Sequence, residues 1–512
     1  MNTRTLLLWP ALAVLLACTD ATGPASRGGA SLPRTVAAVD TACDLASYPS
    51  PEWAQCEAEN WGRSGEATLE QLAPAFVQRA LEQQAANLAA LTARNLADPS
   101  WGLPPALGNT PATPLCAAGM GPCVGDPFRY PGVDGADGDD FYEAEAEVLP
   151  VVYYDRECAR ISGRVWRPRG VSGRLPAVVI KNGSVQAGEA LYWWAAQALV
   201  RAGYMVLTGD PRGQGRSDFA TPGAGQGGNI NGAVFFEGLV DDIDFLLSSE
   251  AQPYPHEQAC AGTYPTQTAA FNPFAAQLDA QRIGVVGHSY GAGGATWVQS
   301  YDAPGSAPWP GQLSASNPVQ AIVAWDALGS SQAPVSATAT NLAASSSPLF
   351  QLLVSPTGAP PVVPRVPALG FSSEYGFTPL PFPSDPDRDA FQAAYEEWRQ
   401  AEVPVYQLVI AGSTHLDFSL GPQLPATSWC AQVQGNACQG GWGRPAITHY
   451  TVAWFDRWLK GPGEAGYADA DARLLDDAQW APRLSRHYRS ARAFPTRDGL
   501  DAGCGDIRLG CD

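Results

Sequence analysis

Beyond residue 140, short apolar runs alternate with stretches in which apolar residues recur at helical spacing. Two runs lying close together, 148–154 and 161–166, predict a pair of strands. The pattern then predicts a strand at 175–181, a helix at 189–202, a strand at 204–207 and a helix at 235–248. A strand at 282–286 is followed by a helix from about Tyr290. Strands at 319–325, 366–371 and 405–410 come next, and a helix at 447–459 closes the series. Strands alternating with helices imply an α/β fold, with a mostly parallel sheet flanked by helices.

The first 140 residues follow a different pattern. In 66–97 the leucines and phenylalanine at Leu69, Leu72, Phe76, Leu81, Leu88, Leu91 and Leu96 recur at roughly helical spacing, with Pro74 as an interruption. Residues 101–140 are rich in Gly and Pro and read as loop. The chain opens with Arg4 and then the apolar run from Leu6 to Ala17, the layout of a secretory signal. The run ends Leu15-Leu16-Ala17-Cys18, which resembles the lipobox of bacterial lipoproteins and implies lipidation at Cys18. An ordinary signal peptide with an incidental cysteine is the alternative. Expected boundaries are therefore a signal peptide at 1–18, a flexible tether at 19–40, a helical and loop extension at 41–140, a catalytic domain at 141–465 and a C-terminal tail at 466–512.

Composition narrows the setting. The net charge of −19 argues against nucleic acid and against electrostatic attachment to anionic lipid, so membrane association is expected only through an N-terminal lipid anchor. The 11 cysteines become an even set once Cys18 is removed. Spacing pairs Cys43 with Cys56, Cys116 with Cys123, Cys430 with Cys438 and Cys504 with Cys511, leaving Cys158 and Cys260 for a longer bridge. Disulfides indicate an extracytoplasmic protein, either a bacterial envelope lipoprotein or a secreted one. A zinc site is disfavoured because no C-x-x-C recurs and no histidine stands at ligand spacing beside these cysteines.

Chemistry concentrates at Gly287-His288-Ser289-Tyr290-Gly291, directly after an apolar run. G-x-S-x-G suits a serine on a sharp strand-to-helix turn, where glycines relieve backbone crowding. Upstream, Asp210-Pro211-Arg212-Gly213-Gln214-Gly215-Arg216-Ser217 resembles the D-x-R-G-x-G-x-S signature of α/β-hydrolases. With the element order, residues 148–460 resemble that superfamily, and within it the cutinase, polyesterase and platelet-activating-factor acetylhydrolase group of secreted serine esterases. The resemblance implies a nucleophilic Ser289, and His415 as its base, because His415 follows the last predicted parallel strand.

The acid is ambiguous. The usual position in that superfamily, after the penultimate strand, is Gly376 here, with Glu374 two residues before it. The acetylhydrolases resembled in this segment place their acid after the preceding strand, which puts Asp326 first and Glu374 second; Asp417 is a remoter candidate. The expected oxyanion donors are the backbone N–H of Tyr290 and that of Ser184, with Gly183 as the alternative. Trp193, Trp194, Trp325 and Tyr375 are candidates for lining an apolar cleft, with core packing the competing reading of each. These features predict a serine hydrolase acting on a small or polymeric carboxylic ester through an acyl-enzyme, with no cofactor and no metal. A peptidase or amidase on the same fold, or a non-catalytic surface lipoprotein, are the alternatives.

Overall fold

The computed structural model describes residues 41–71, 74–102, 141–184, 188–225, 227, 231–326, 328–331, 358–376, 382–419, 433–434, 437–438 and 443–511. The expectations for the leader, Cys18, the tether, Leu72, Cys116, Cys123 and Cys430 lie outside these residues.

A nine-stranded sheet runs through the molecule in the order β1-β2-β4-β3-β5-β6-β7-β8-β11. The two strands predicted first, β1 (Ala146–Tyr154) and β2 (Arg160–Pro168), pair antiparallel, and β2 pairs antiparallel with β4 (Met205–Gly209). β3 (Leu175–Lys181) is parallel to β4 and to β5 (Leu278–His288). β6 (Val319–Trp325), β7 (Ala368–Ser373) and β8 (Val405–Ile410) continue in parallel. Two short strands outside this sheet, β9 (Val433–Gln434) and β10 (Ala437–Cys438), pair only with each other. β3 is buried along its whole length, as expected of an apolar strand covered on both faces.

Two hydrophobic clusters sandwich the sheet. On one face pack α4 (Trp193–Arg201) and α8 (Arg444–Leu459), and on the other α5 (Ala233–Leu247), α6 (Tyr290–Ser300) and α7 (Ala393–Gln400). This is the expected α/β architecture. Its strand ends are level: Lys181 pairs with Gly287, His288 with Trp325, and Ser373 with Ile410, so the loops after β3, β5, β6, β7 and β8 emerge together.

The N-terminal helices begin earlier than the leucine spacing predicts. After α1 (Thr41–Asp44), α2 spans Pro51–Gln71 and α3 spans Pro74–Ala97. Ser50 caps α2, its Oγ accepting from the N–H of Trp53 at 3.2 Å, and Pro51 opens the first turn where its missing N–H costs nothing. The pair is anchored at both ends. Near the start of α2, Glu57 and Asn60 are buried against Tyr375, Glu374 and His487. Beyond α3, Asp98 meets Arg160 at 3.5 Å, and Trp101 is stacked between the guanidinium groups of Arg94 and Arg160, 4.0 and 3.7 Å from its ring centre. Arg94 also donates to the carbonyl of Arg216 at 2.8 Å.

The segment after 465 is more than a tail. β11 (Ala491–Ala493) pairs antiparallel with β8 and extends the sheet, and Arg508 reaches back to Asp44 at 2.6 Å. Disulfides join Cys43 to Cys56 and Cys504 to Cys511, as their spacing suggests, and Cys158 to Cys260, the longer bridge left by elimination. Among the described residues, no helix is long and apolar enough to cross a membrane.

Candidate active site

The glycines of G-x-S-x-G are there for steric reasons. A Cβ on Gly287 would lie 2.1 Å from the carbonyl oxygen of Gly291, and one on Gly291 would lie 2.3 Å from that of Lys181. Ser289, between them, holds φ 55° and ψ −119°, a conformation L side chains rarely adopt. Its N–H is held by the carbonyl of Trp325 at 2.9 Å. Ser289 is partly exposed while His288 and Tyr290 on either side are buried, so the turn presents one hydroxyl. Tyr290 is the first residue of α6, where a backbone N–H has no acceptor within the helix.

His415 opens a single turn, 415–418, after β8. The turn is fixed by a capping box in which Asp417 accepts from the N–H and the hydroxyl of Thr414 at 2.5 and 2.8 Å. Asp417 is thus committed to the turn. The N–H of His415 donates to the carbonyl of Gly376 at 2.5 Å, tying this loop to the one after β7.

Of the two candidate acids, the structure brings Asp326 to His415. Asp326 Oδ2 lies 2.5 Å from His415 Nδ1, and the carboxylate also accepts from the N–H of Ser373 at 2.6 Å and from its hydroxyl at 2.9 Å. A carboxylate facing Nδ1 places the ring proton there and leaves Nε2 as the acceptor. Glu374 lies elsewhere. Its carboxylate accepts from the N–H of Gly412 at 2.6 Å, from the hydroxyl of Ser485 at 2.5 Å and from the side-chain amide of Asn60. It therefore acts as a buried clamp on the loop leading to His415.

The loop after β3 approaches Ser289 closely. A Cβ on Gly183 would come within 3.2 Å of both Ser289 Cβ and His288 Nδ1, so a side chain there would press on both neighbours. The N–H of Gly183 donates to the Tyr192 hydroxyl at 3.0 Å, and its carbonyl accepts from Gln214 Nε2 at 2.9 Å. With that N–H committed, Gly183 loses ground as a donor to a substrate. Because a trans peptide sets C=O and the following N–H on opposite sides, the Gln214 contact also fixes the direction of the Ser184 N–H.

Gln214 belongs to the D-x-R-G-x-G-x-S segment, whose other members serve the fold. Asp210 accepts from the N–H groups of Glu189 and Arg216 at 2.5 and 2.6 Å, and burial together with the Glu189 charge pushes its carboxyl above the ordinary range. Arg212 bridges to Asp155 at 2.8 Å and to Glu157 at 2.6 Å. Gly215, at φ 52°, packs against the Asp210 carboxylate, where a Cβ would lie 2.1 Å from its carbon.

The aromatic candidates for a cleft are corrected by burial. Trp193, Trp194 and Trp325 sit in the hydrophobic cluster under the sheet, with Trp325 packed on Tyr192 and Trp194 and donating to the Thr451 hydroxyl at 3.1 Å. A run of adjacent indoles satisfies a core as well as a cleft, and here their position on the inward face of α4 and at the end of β6 decides for the core. Tyr375 is buried too, donating to Glu57 Oε1 at 2.5 Å and receiving from Asn60 at 2.9 Å.

Two further residues, Tyr192 and His288, join the site without having been marked as part of it. Tyr192 Oη lies 2.7 Å from His288 Nδ1, and His288 Nε2 lies 2.8 Å from the carbonyl oxygen of His415. The remaining histidines are remote: His256 faces Asp241 at 3.3 Å, His449 contacts the carbonyl of Arg473 at 2.9 Å, and His487 contacts Glu57 at 2.8 Å. Among the described residues no group of three His, Cys, Asp or Glu is arranged to hold a metal ion. Searches against family models and curated proteins return no match to this chain.

Proposed function

We propose that this protein is an exported serine hydrolase of the α/β-hydrolase type that cleaves carboxylic esters through an acyl-enzyme. The observation that carries the reading is a pair of contacts at the loop of His415: His288, next to Ser289 on its strained turn, faces the His415 carbonyl at 2.8 Å, and His415 Nδ1 faces the Asp326 carboxylate at 2.5 Å. Asp326 holds the imidazole in the tautomer whose Nε2 accepts a proton and stabilises the imidazolium that forms.

In the first half-reaction Nε2 of His415 takes the Ser289 proton as Oγ attacks the ester carbonyl. The N–H groups of Tyr290 and Ser184 receive the developing oxyanion, an interaction whose loss typically costs about 10²- to 10³-fold in rate. Collapse breaks the bond to the alcohol oxygen, which leaves with the proton from His415. Water, deprotonated by His415, then attacks the acyl-serine, and the carboxylic acid departs as the proton returns to Oγ. The three disulfides, with the leader-like start of the sequence, support an extracytoplasmic setting.

The test is labelling with a fluorophosphonate and hydrolysis of an activated ester by the folded protein. Wild type should take one label at Ser289 and turn over, and Ser289→Ala should do neither. A folded wild type that resists labelling and leaves the ester intact refutes the reading.

A further inference from the structure

The steps above use neither Tyr192 nor His288, although both are buried polar groups beside Ser289. Their proton positions follow from their partners. The His415 carbonyl can only accept, so His288 Nε2 carries the hydrogen at 2.8 Å. Burial and the neighbouring His415 lower the His288 pKa well below the ordinary histidine value, so the ring is neutral and Nδ1 is an acceptor. The Tyr192 hydroxyl therefore donates to Nδ1 at 2.7 Å, and its oxygen accepts from the Gly183 N–H at 3.0 Å. Every hydrogen in the series has a single direction: Gly183 to Tyr192, Tyr192 to His288, His288 to the His415 carbonyl.

We infer that Tyr192 and His288 are positioning residues, a one-directional hydrogen-bond relay that locks the loop after β3, carrying the oxyanion donor, to the loop carrying the base. The inference rests on the serine hydrolase reading. Its consequence is that Ser184 N–H, Ser289 and His415 are held at common spacing through one buried ring, which itself adjoins the nucleophile in sequence. The ring centre of His288 stands 4.6 Å from that of His415 and 6.0 Å from that of Phe418, so ring contacts as well as hydrogen bonds restrain it. Neutral hydrogen bonds in series polarise one another in a dry interior, which stiffens such a chain beyond its separate members.

Tyr192→Phe removes the acceptor of Gly183 and the donor to His288 while keeping the ring stacked near Trp325. It should lower kcat on an activated ester by roughly 10- to 100-fold, the scale at which small misplacements of reacting groups act. KM should stay within about twofold, since ground-state binding of the ester does not use the relay. His288→Phe should show a similar loss, and His288→Gln, which retains a donor toward the His415 carbonyl, should recover part of it. A purely structural role would leave kcat of the folded variants unchanged and the glutamine without advantage. Long-range ¹H–¹⁵N correlation on wild type supplies a readout that needs no variant to fold: His288 should appear as the neutral Nε2–H tautomer from pH 5 to pH 9. A His288 that titrates in this range or carries its hydrogen on Nδ1, or a folded Tyr192→Phe with wild-type kcat, overturns the relay while wild-type turnover and the Ser289 label leave the hydrolase reading standing. A wild type that neither labels nor turns over overturns both.

Discussion

Ser289 and Asp326 leave the sheet side by side: β5 and β6 run in register up to the pair His288 and Trp325, and the next residue of each takes a positive φ, 55° and 61°. Two non-glycine residues in a disfavoured region at neighbouring strand ends concentrate backbone strain at the candidate site. The second brings a carboxylate to His415, and the first presents a partly exposed hydroxyl.

The assignment of the acid is tested by comparing Asp326→Asn with Glu374→Gln on an activated ester. Asp326→Asn should cost about 10³- to 10⁴-fold in kcat, because an amide no longer enforces the Nδ1–H tautomer. Glu374→Gln keeps an acceptor for the Gly412 N–H and should stay within about tenfold, the worth of one weakened hydrogen bond. Steady-state kinetics at pH 8 reads both.

Glu57 makes the docking of α2 acid-sensitive. Burial raises its pKa, but hydrogen bonds from His487 and Tyr375 and the charges of His487 and Arg486 outweigh this, so the carboxyl sits below the ordinary glutamate range. A lowered carboxylate contributes stability that is present above the unfolded value and is lost as pH falls through the folded one. Hydrogen exchange over 51–71 should therefore accelerate as pH drops below about 4 relative to the sheet, and Glu57→Gln should remove that dependence.

Asp155 behaves in the opposite sense. Burial pushes its carboxyl up to about 6 despite the opposing Arg212 charge. Below the unfolded value near 3.8 both states hold the proton; between there and about 6 only the folded state does, so its contribution to stability falls as pH rises. Urea titrations should show wild type losing stability relative to Asp155→Asn between pH 4 and pH 6, at no more than about 1.4 kcal/mol per pH unit.

The disulfides should contribute unequally. Cys158 and Cys260 are 102 residues apart in sequence and Cys504 and Cys511 only 7. Loop-closure entropy makes the first worth about 4.7 kcal/mol and the second about 2.5. Denaturant unfolding of the paired Cys→Ser variants should show the long bridge costing about twice the short one.

The strands were the most legible part of the chain. Val319–Trp325 and Val405–Ile410 match their sequence reading residue for residue because each apolar run begins directly after a proline, Pro318 and Pro404. β5 starts earlier than expected since Asp279 and Gln281 interrupt its apolar pattern where the strand is still partly exposed. The first half of α2 gave no hydrophobic period, because the face it buries is Cys56, Glu57 and Asn60, polar residues satisfied by partners hundreds of positions away. In the site, Ser289, His415 and their loops were readable from motif and element order. Choosing between Asp326 and Glu374 was not, since both carboxylates are buried at adjacent loops and only three-dimensional pairing separates them. Tyr192 and His288 were hidden for a similar reason: a tyrosine in an apolar helix start and a histidine in a turn look like packing until their hydrogens are assigned.

The clasp between the chain's two ends bears on the order of events during synthesis. Asp44 and Glu57 precede the sheet in the sequence, and their partners Arg508, Arg486 and His487 follow β8. A polypeptide delivered from its N-terminus must therefore hold α2 undocked until residues 485–508 have emerged. Since α2 clamps Glu374, and Glu374 clamps the approach to His415, the late segment that carries Ser485 also completes the bracing of the His415 loop. A nascent or truncated chain lacking residues 485–508 is thus a chain with the Ser289 turn already encoded but the loop of His415 not yet braced.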